Sequence, residues 1–156
     1  ASGIGSASMI SLGHFYGIGD KREIRKSGHS NFILVLILMI ISAFIFIVFR
    51  NILPTFYVDD IEVITLASSL LIIAGLFQLS DGIQAVGLGI LRGIRDTKIP
   101  TLVTFISYWV IAIPFSYILG IIMGYGLFGV WIGLSVGLTI AAVFHVIRFN
   151  YLTSAK

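Results

Sequence analysis

Asp81 is the residue of this sequence best placed to do chemistry. Between Val63 and Leu91 it is the one Asp, Glu, Lys or Arg in a run otherwise made of apolar and small polar residues. In a helix rising about 1.5 Å per residue, it lies roughly 15 Å from the end near Leu91. An Asp at the centre of a bilayer-spanning helix costs about 2.5–3.5 kcal/mol on insertion scales, so such acids face protein or water and by default mark functional sites. Gln78 and Gln84 stand three residues to either side, within a sector about 120° wide on that helix. One carboxylate and two amides offer oxygen ligands to a small cation such as Na+, and a countercharge to an organic cation. In the plainer alternative, protonated Asp81 merely hydrogen-bonds another helix. For Gln78 and Gln84, bonding between helices is as good a reading as ligand contact.

Other candidates are softer. Tyr108 and Trp109 fall near the middle of a later apolar run, away from the headgroup level where such rings concentrate. They are candidates to line a cavity and stack on a flat cation, with packing as the competing reading. Pro114 removes an N–H and crowds a carbonyl one turn earlier, so it bends that helix. Trp131, Tyr125 and Tyr57 suit an aromatic belt at the membrane surface. His14 and His145 lack partners at metal spacing and are assigned no chemistry, His14 being expected to pack or hydrogen-bond. Gly87-Leu88-Gly89 lies inside an apolar helix without a lysine in register, and no nucleophile stands beside a base. The sequence therefore gives an enzyme no support and calls for no resident cofactor.

The segments that must position Asp81 follow from composition. Of 156 residues, 58% are hydrophobic and 11% charged, against about 25% charged in a soluble domain. Too few charges are available to coat a globule, and they come in clumps. No Asp, Glu, Lys or Arg occurs from Ser27 to Phe49, and none over the 49 residues from Ile99 to Ile147. A bilayer-crossing helix needs about 20 apolar residues, so the second run suits two helices joined by a turn at Gly124-Tyr125-Gly126. An all-α, polytopic membrane bundle is predicted, with about five spans over 1–19, 30–50, 63–91, 99–123 and 127–148. Gly129, Gly133 and Gly137, and Gly75, Gly82 and Gly89, recur at helical spacing, which lets backbones approach closely.

Alternating spans sort the charges. Nine Lys/Arg fall at Asp20–His29, Arg92–Lys98 and Arg148–Lys156, against Arg50 alone on the other side. This asymmetry predicts a cytoplasmic C-terminus in the cytoplasmic (inner) membrane. The net charge of +3 thus reads as basic loops rather than as a nucleic-acid surface. Cysteine is absent, so there is neither a disulfide framework nor a thiolate metal site. Ala1 opens the chain without a basic n-region, apolar h-region and cleavage site, and the expectation is a sequence that starts inside a longer protein.

Phe77 to Pro100, FQLSDGIQAVGLGILRGIRDTKIP, resembles the tenth helix and following loop of the multidrug and toxic compound extrusion (MATE) transporters, their NorM-like branch in particular. That family has an Asp ahead of an LRG-x-x-D-T motif, matched here by Asp81 and by Leu91, Arg92, Gly93, Asp96 and Thr97. The opening GIGSASMISLGHFYGIGDKREIRKSG resembles the eighth helix and its basic loop, with His14 where Gln or Asn is more usual. The ending GLFGVWIGLSVGLTIAAV resembles the twelfth helix.

The resemblance implies a two-lobed antiporter whose central cavity opens alternately to either side, with this chain a C-terminal portion of the second lobe. The implied partners are small organic cations, the lipid bilayer and the N-terminal lobe of the same protein, including acidic residues outside this chain. Asp81 would bind the coupling ion, Na+ or H+, with Gln78 and Gln84 as cavity neighbours. Arg92 would anchor the cytoplasmic helix end through headgroup phosphates or helix carbonyls. Two rivals stand beside this reading. A related flippase of lipid-linked sugars should hold its pyrophosphate with cavity cations, absent from the middle of these spans. A non-transporting membrane assembly subunit would pair Asp81 with a partner's basic residue.

Overall fold

The computed structural model describes residues 1–154, and these form helices joined by short turns, without strands. Helix α1 runs Ser2–Gly17, α2 Lys21–Val48 and α3 Ile61–Gly93. After them come α4, Lys98–Ile122, and α5, Gly126–Ser154. Helices α2 to α5 are each long and apolar enough to cross a bilayer. At 16 residues, α1 is about 24 Å long, short of the roughly 30 Å hydrocarbon core. Large apolar side chains stand exposed along α2, α4 and α5, among them Ile33, Phe44, Trp109 and Ile147. A surface of that kind is stable against acyl chains rather than water.

Local chemistry explains the boundaries. Asp20 caps α2, its carboxylate accepting from the Glu23 N–H at 3.0 Å. Asp60 caps α3 in the same way, accepting from Glu62 N–H at 2.8 Å. Helix α1 closes with a Schellman pattern: Asp20 N–H bonds the Phe15 carbonyl, Gly19 N–H bonds that of Tyr16, and Gly19 takes φ +75°. Between α4 and α5, Gly124 and Gly126 both take positive φ, which lets the chain reverse in three residues.

The charge clusters differ from the expected loops. Asp20–His29, read as a loop from its charges, is a cap followed by the first turns of α2, and the basic tail after Arg148 continues α5 to Ser154. Charge marks where a membrane helix leaves the hydrocarbon, not where the helix ends.

Arg95 ends α3. Its N–H bonds the Arg92 carbonyl, Asp96 N–H bonds that of Leu91, and Arg95 itself sits at φ +64°. This is the left-handed position that glycine takes at the end of α1, and an L side chain there costs about 1 kcal/mol or more. Arg95→Gly is therefore expected to raise stability by about 1 kcal/mol. Thermal unfolding in detergent measures it, and an unchanged or lower midpoint would contradict the strain.

Helix α3 is the hub, packed on α1, α2 and α5. Gly75 and Gly82 of α3 admit α2 side chains, and Gly89 admits the backbone of α1 at Gly5. The dense core lies toward the basic end, where Leu12, Val35, Val86, Ile90, Leu91 and Phe149 are fully buried. Helix α4 instead packs on α5, along a stripe that repeats every four residues: Gly129, Gly133, Gly137, Ala141, His145 and Phe149 are all buried. The glycine part receives α4 backbone from Leu119–Gly120, Ser116 and Ala112.

Helix α4 changes its winding on either side of Pro114. Its turns widen to π geometry over Ile106–Ala112 and again over Ile118–Ile122, with an α-turn at Ile113–Tyr117 between them. The Ile113 N–H reaches back to the Tyr108 carbonyl, one residue further than in an α-helix. Such widened turns accommodate the N–H that proline lacks, and they recur at functional sites.

Candidate functional site

Asp81 lies 12 residues before the end of α3, about 18 Å along the axis and well inside the span. Its side chain is half-buried. Among the described residues no hydrogen bond reaches its carboxylate and no cation pairs with it; the ion pairs there are Lys26–Glu23 and Arg148–Asp96. The neighbours of Asp81 on α3 show which way it faces. Gln78 and Gly82 turn to α2, meeting Ser42 and Met39, while Ser80 and Gly87 turn to α5, meeting Thr139 and His145. At 100° per residue, Asp81 falls between those two faces.

The flanking amides have different surroundings. The Ser42 hydroxyl donates to the Gln78 side-chain oxygen at 2.7 Å, tying α2 to α3. The Gln78 amide nitrogen is buried with no acceptor among the described residues, a situation that costs about 1–3 kcal/mol unless a further group arrives. Gln84 is buried beside His145, which approaches its backbone carbonyl. Gln78 stands one turn before Asp81 with a spare donor, Gln84 belongs to the α3–α5 contact, and Tyr108 of α4 is half-buried without a hydrogen bond to Asp81. Trp109 lies elsewhere: it is 62% exposed and stacks on Phe105 at 6.0 Å, on the outer side of α4. Pro114 sits between the two widened turns.

At the basic end, Arg92 is exposed and Gly93 is buried, where a Cβ would lie 2.7 Å from the Met9 carbonyl oxygen of α1. That contact is the physical reason for glycine in the LRG segment. Asp96 accepts from Arg148 Nε at 2.8 Å, which locks the α3–α4 loop to α5.

Two histidines exchange the weight expected of them. His14 is exposed beside Phe15 and, among the described residues, makes no side-chain hydrogen bond. His145 is fully buried, with Nδ1 3.3 Å from the Gln84 carbonyl and Nε2 3.4 Å from the Thr104 hydroxyl. It joins α3, α4 and α5 on the basic side of Asp81. Sequence reasoning also missed the Ser80–Thr139 hydroxyl pair, 2.8 Å across the α3–α5 contact. Of the aromatic residues expected at a membrane surface, Tyr57 and Tyr125 are exposed, whereas Trp131 packs edge-on against Phe77 at 5.8 Å.

A bundle of apolar, bilayer-length helices with an unpaired carboxylate at mid-span is the architecture of a polytopic membrane protein. Residues 1–118 match the MatE family, and the chain belongs to it. It is 39% identical over 155 residues to a probable multidrug resistance protein NorM of Rhodopseudomonas palustris, covering 97% of this chain and 33% of that one. It is 40% identical over 144 residues to the multidrug resistance protein MdtK of Proteus mirabilis, covering 90% of this chain and 32% of that one. The chain therefore spans about a third of the length of these relatives. In fold it is similar to the eukaryotic MATE transporter AtDTX14, with a TM-score of 0.89 at 20% identity over 98% of this chain and 35% of that one. An inward-facing multidrug resistance MATE family transporter gives 0.84 at 19% identity, covering 97% and 35%.

Proposed function

We propose that this chain is part of a cation-coupled antiporter that exports organic cations across the cytoplasmic membrane. Asp81 is its coupling-ion and substrate site, and Na+ or H+ is the driving ion. The activity belongs to a longer protein, since the relatives are about three times the length of this chain. Their remaining two-thirds would supply the first lobe and the rest of the second. Nine of ten Lys/Arg at one end support a cytoplasmic C-terminus.

One observation supports the site above the others: a half-buried carboxylate at mid-span with no protein cation beside it among the described residues. A structural acid in hydrocarbon is held by a partner. This one has no such partner among the described residues, and a spare amide stands one turn before it. A single negative charge serves the inbound ion and the outbound cation in turn, so each displaces the other. Coupling further requires that the two occupants favour differently facing states, because a ligand shifts an equilibrium only by its differential affinity.

The test is transport by the protein at its natural length in sealed vesicles loaded with a fluorescent lipophilic cation. An imposed Na+ or H+ gradient is expected to drive the dye against its own gradient, and the matching ionophore to stop it. Dye movement indifferent to both gradients would exclude antiport.

A further inference from the structure

The basic end holds two adjoining hollows that the transport reading leaves unused. The first, about 380 Å³, is lined by Lys21, Arg95, Asp96, Arg148 and Thr153, with Ile24 and Leu152 as its apolar wall. The second, about 650 Å³, lies along the start of α2 and is lined by Arg22, Arg25, Lys26, His29 and Ile33. Lys21 and Thr153 line both, so the hollows meet there. Among the described residues, Lys21, Arg22, Arg25 and Arg95 have no ion-pair partner, while Arg148 is engaged by Asp96 and Lys26 by Glu23.

We infer that this paired hollow binds an anionic phospholipid with two phosphates, a lipid of the cardiolipin type, with one phosphate in each hollow and Lys21 between them. Three observations converge on that chemistry. Four free cations arranged around two adjoining surface hollows match a doubly anionic headgroup rather than a single phosphate. Directly below the charges, Ile33, Ile37, Ile40 and Phe44 stand exposed at helical spacing along α2, an apolar track for acyl chains that a free inorganic anion would leave unused. Arg95 lines the first hollow from a left-handed backbone position where glycine costs less, and strain retained in a cavity wall points to a use for that side chain. Basic pockets between membrane helices, at the level where the helices leave the hydrocarbon, are suited to such headgroups.

The test is lipid binding to the detergent-purified protein at its natural length, by native mass spectrometry. The lipids compared are cardiolipin, phosphatidylglycerol and phosphatidylethanolamine, with inorganic pyrophosphate as the free anion. Cardiolipin is expected to bind tightest and pyrophosphate far more weakly. Each cation near the surface contributes about fivefold, so Lys21→Gln with Arg25→Gln should weaken cardiolipin by roughly 25-fold and leave phosphatidylethanolamine unchanged. Arg95→Gly, a variant expected to fold better, should lose about fivefold. Equal binding of cardiolipin and phosphatidylethanolamine would overturn the proposal. So would pyrophosphate matching cardiolipin, or cardiolipin binding undiminished in both variants.

Discussion

Asp81→Asn is expected to abolish ion-driven efflux while leaving the protein as stable as before, or more so. The amide keeps the size of the acid and loses the charge. For a bound cation, removing a partly buried countercharge costs about 3 kcal/mol, roughly a hundredfold in affinity. For the fold the change is favourable, because an Asp in the middle of a span costs about 2.5–3.5 kcal/mol on insertion scales and none of the described residues compensates it with an ion pair. Transport and stability should therefore move in opposite directions. Asp81→Glu, which keeps the charge and shifts it by one methylene, should retain ion-driven efflux at a reduced rate. The measurements are gradient-driven dye efflux and the thermal midpoint in detergent. A large fall in stability with Asp81→Asn would make the carboxylate a structural group, and undiminished efflux would remove it from the mechanism.

Gly129→Ala is expected to loosen the α4–α5 contact, at a cost of about 1–3 kcal/mol. A Cβ at this position would lie 2.5 Å from the Leu119 carbonyl carbon, 2.6 Å from its oxygen and 2.7 Å from the Gly120 nitrogen. Non-bonded carbons settle at about 3.5–4.0 Å. All three atoms are main chain, so no side chain can swing aside and the helices must separate by roughly 1 Å. Between helices in lipid there is little hydrophobic drive to draw them back, since packing itself holds them. Gly3→Ala is the control: a Cβ there meets nothing within 4 Å, and alanine should be neutral or stabilising by up to about 1 kcal/mol. Equal thermal midpoints for Gly129→Ala and Gly3→Ala would show that the close approach does not hold this pair together.

The membrane architecture, and the position of Asp81 well inside a span, were legible in the sequence because both are written in local hydropathy: long uncharged runs, one of them broken by a single acid. What Asp81 faces was not legible. The contacts that orient α3 around it join residues far apart in the chain, Gln78 to Ser42 and Ser80 to Thr139, and no local pattern encodes them. The Asp96–Arg148 pair spans 52 residues and is hidden for the same reason. His145 is different, because a signal existed. It stands eight residues after Gly137 and four after Ala141, on the four-residue repeat that α5 buries, and extending that stripe would have placed it inside. The start of α2 was also readable, since Asp20 followed by Glu23 is a helix-opening pair that the charge count overrode. The widened turns of α4 have no sequence signature beyond Pro114, and Trp109 shows the result: an aromatic at mid-span turns outward once the helical phase shifts.

Helix α3 packs on α1 and α2 along one flank and on α5 along the other, while α4 is fastened chiefly to α5. The bundle therefore has the layout of an open book, with the seam between α3 and α5 as its spine. One cover is made of α1, α2 and α3, and the other is the hairpin of α4 and α5. Asp81 belongs to the first leaf and Tyr108 to the second. A rotation about that spine would change the separation of α3 from α4 while leaving each cover internally intact. The distance from Asp81 to Tyr108 would then report how far the book is open.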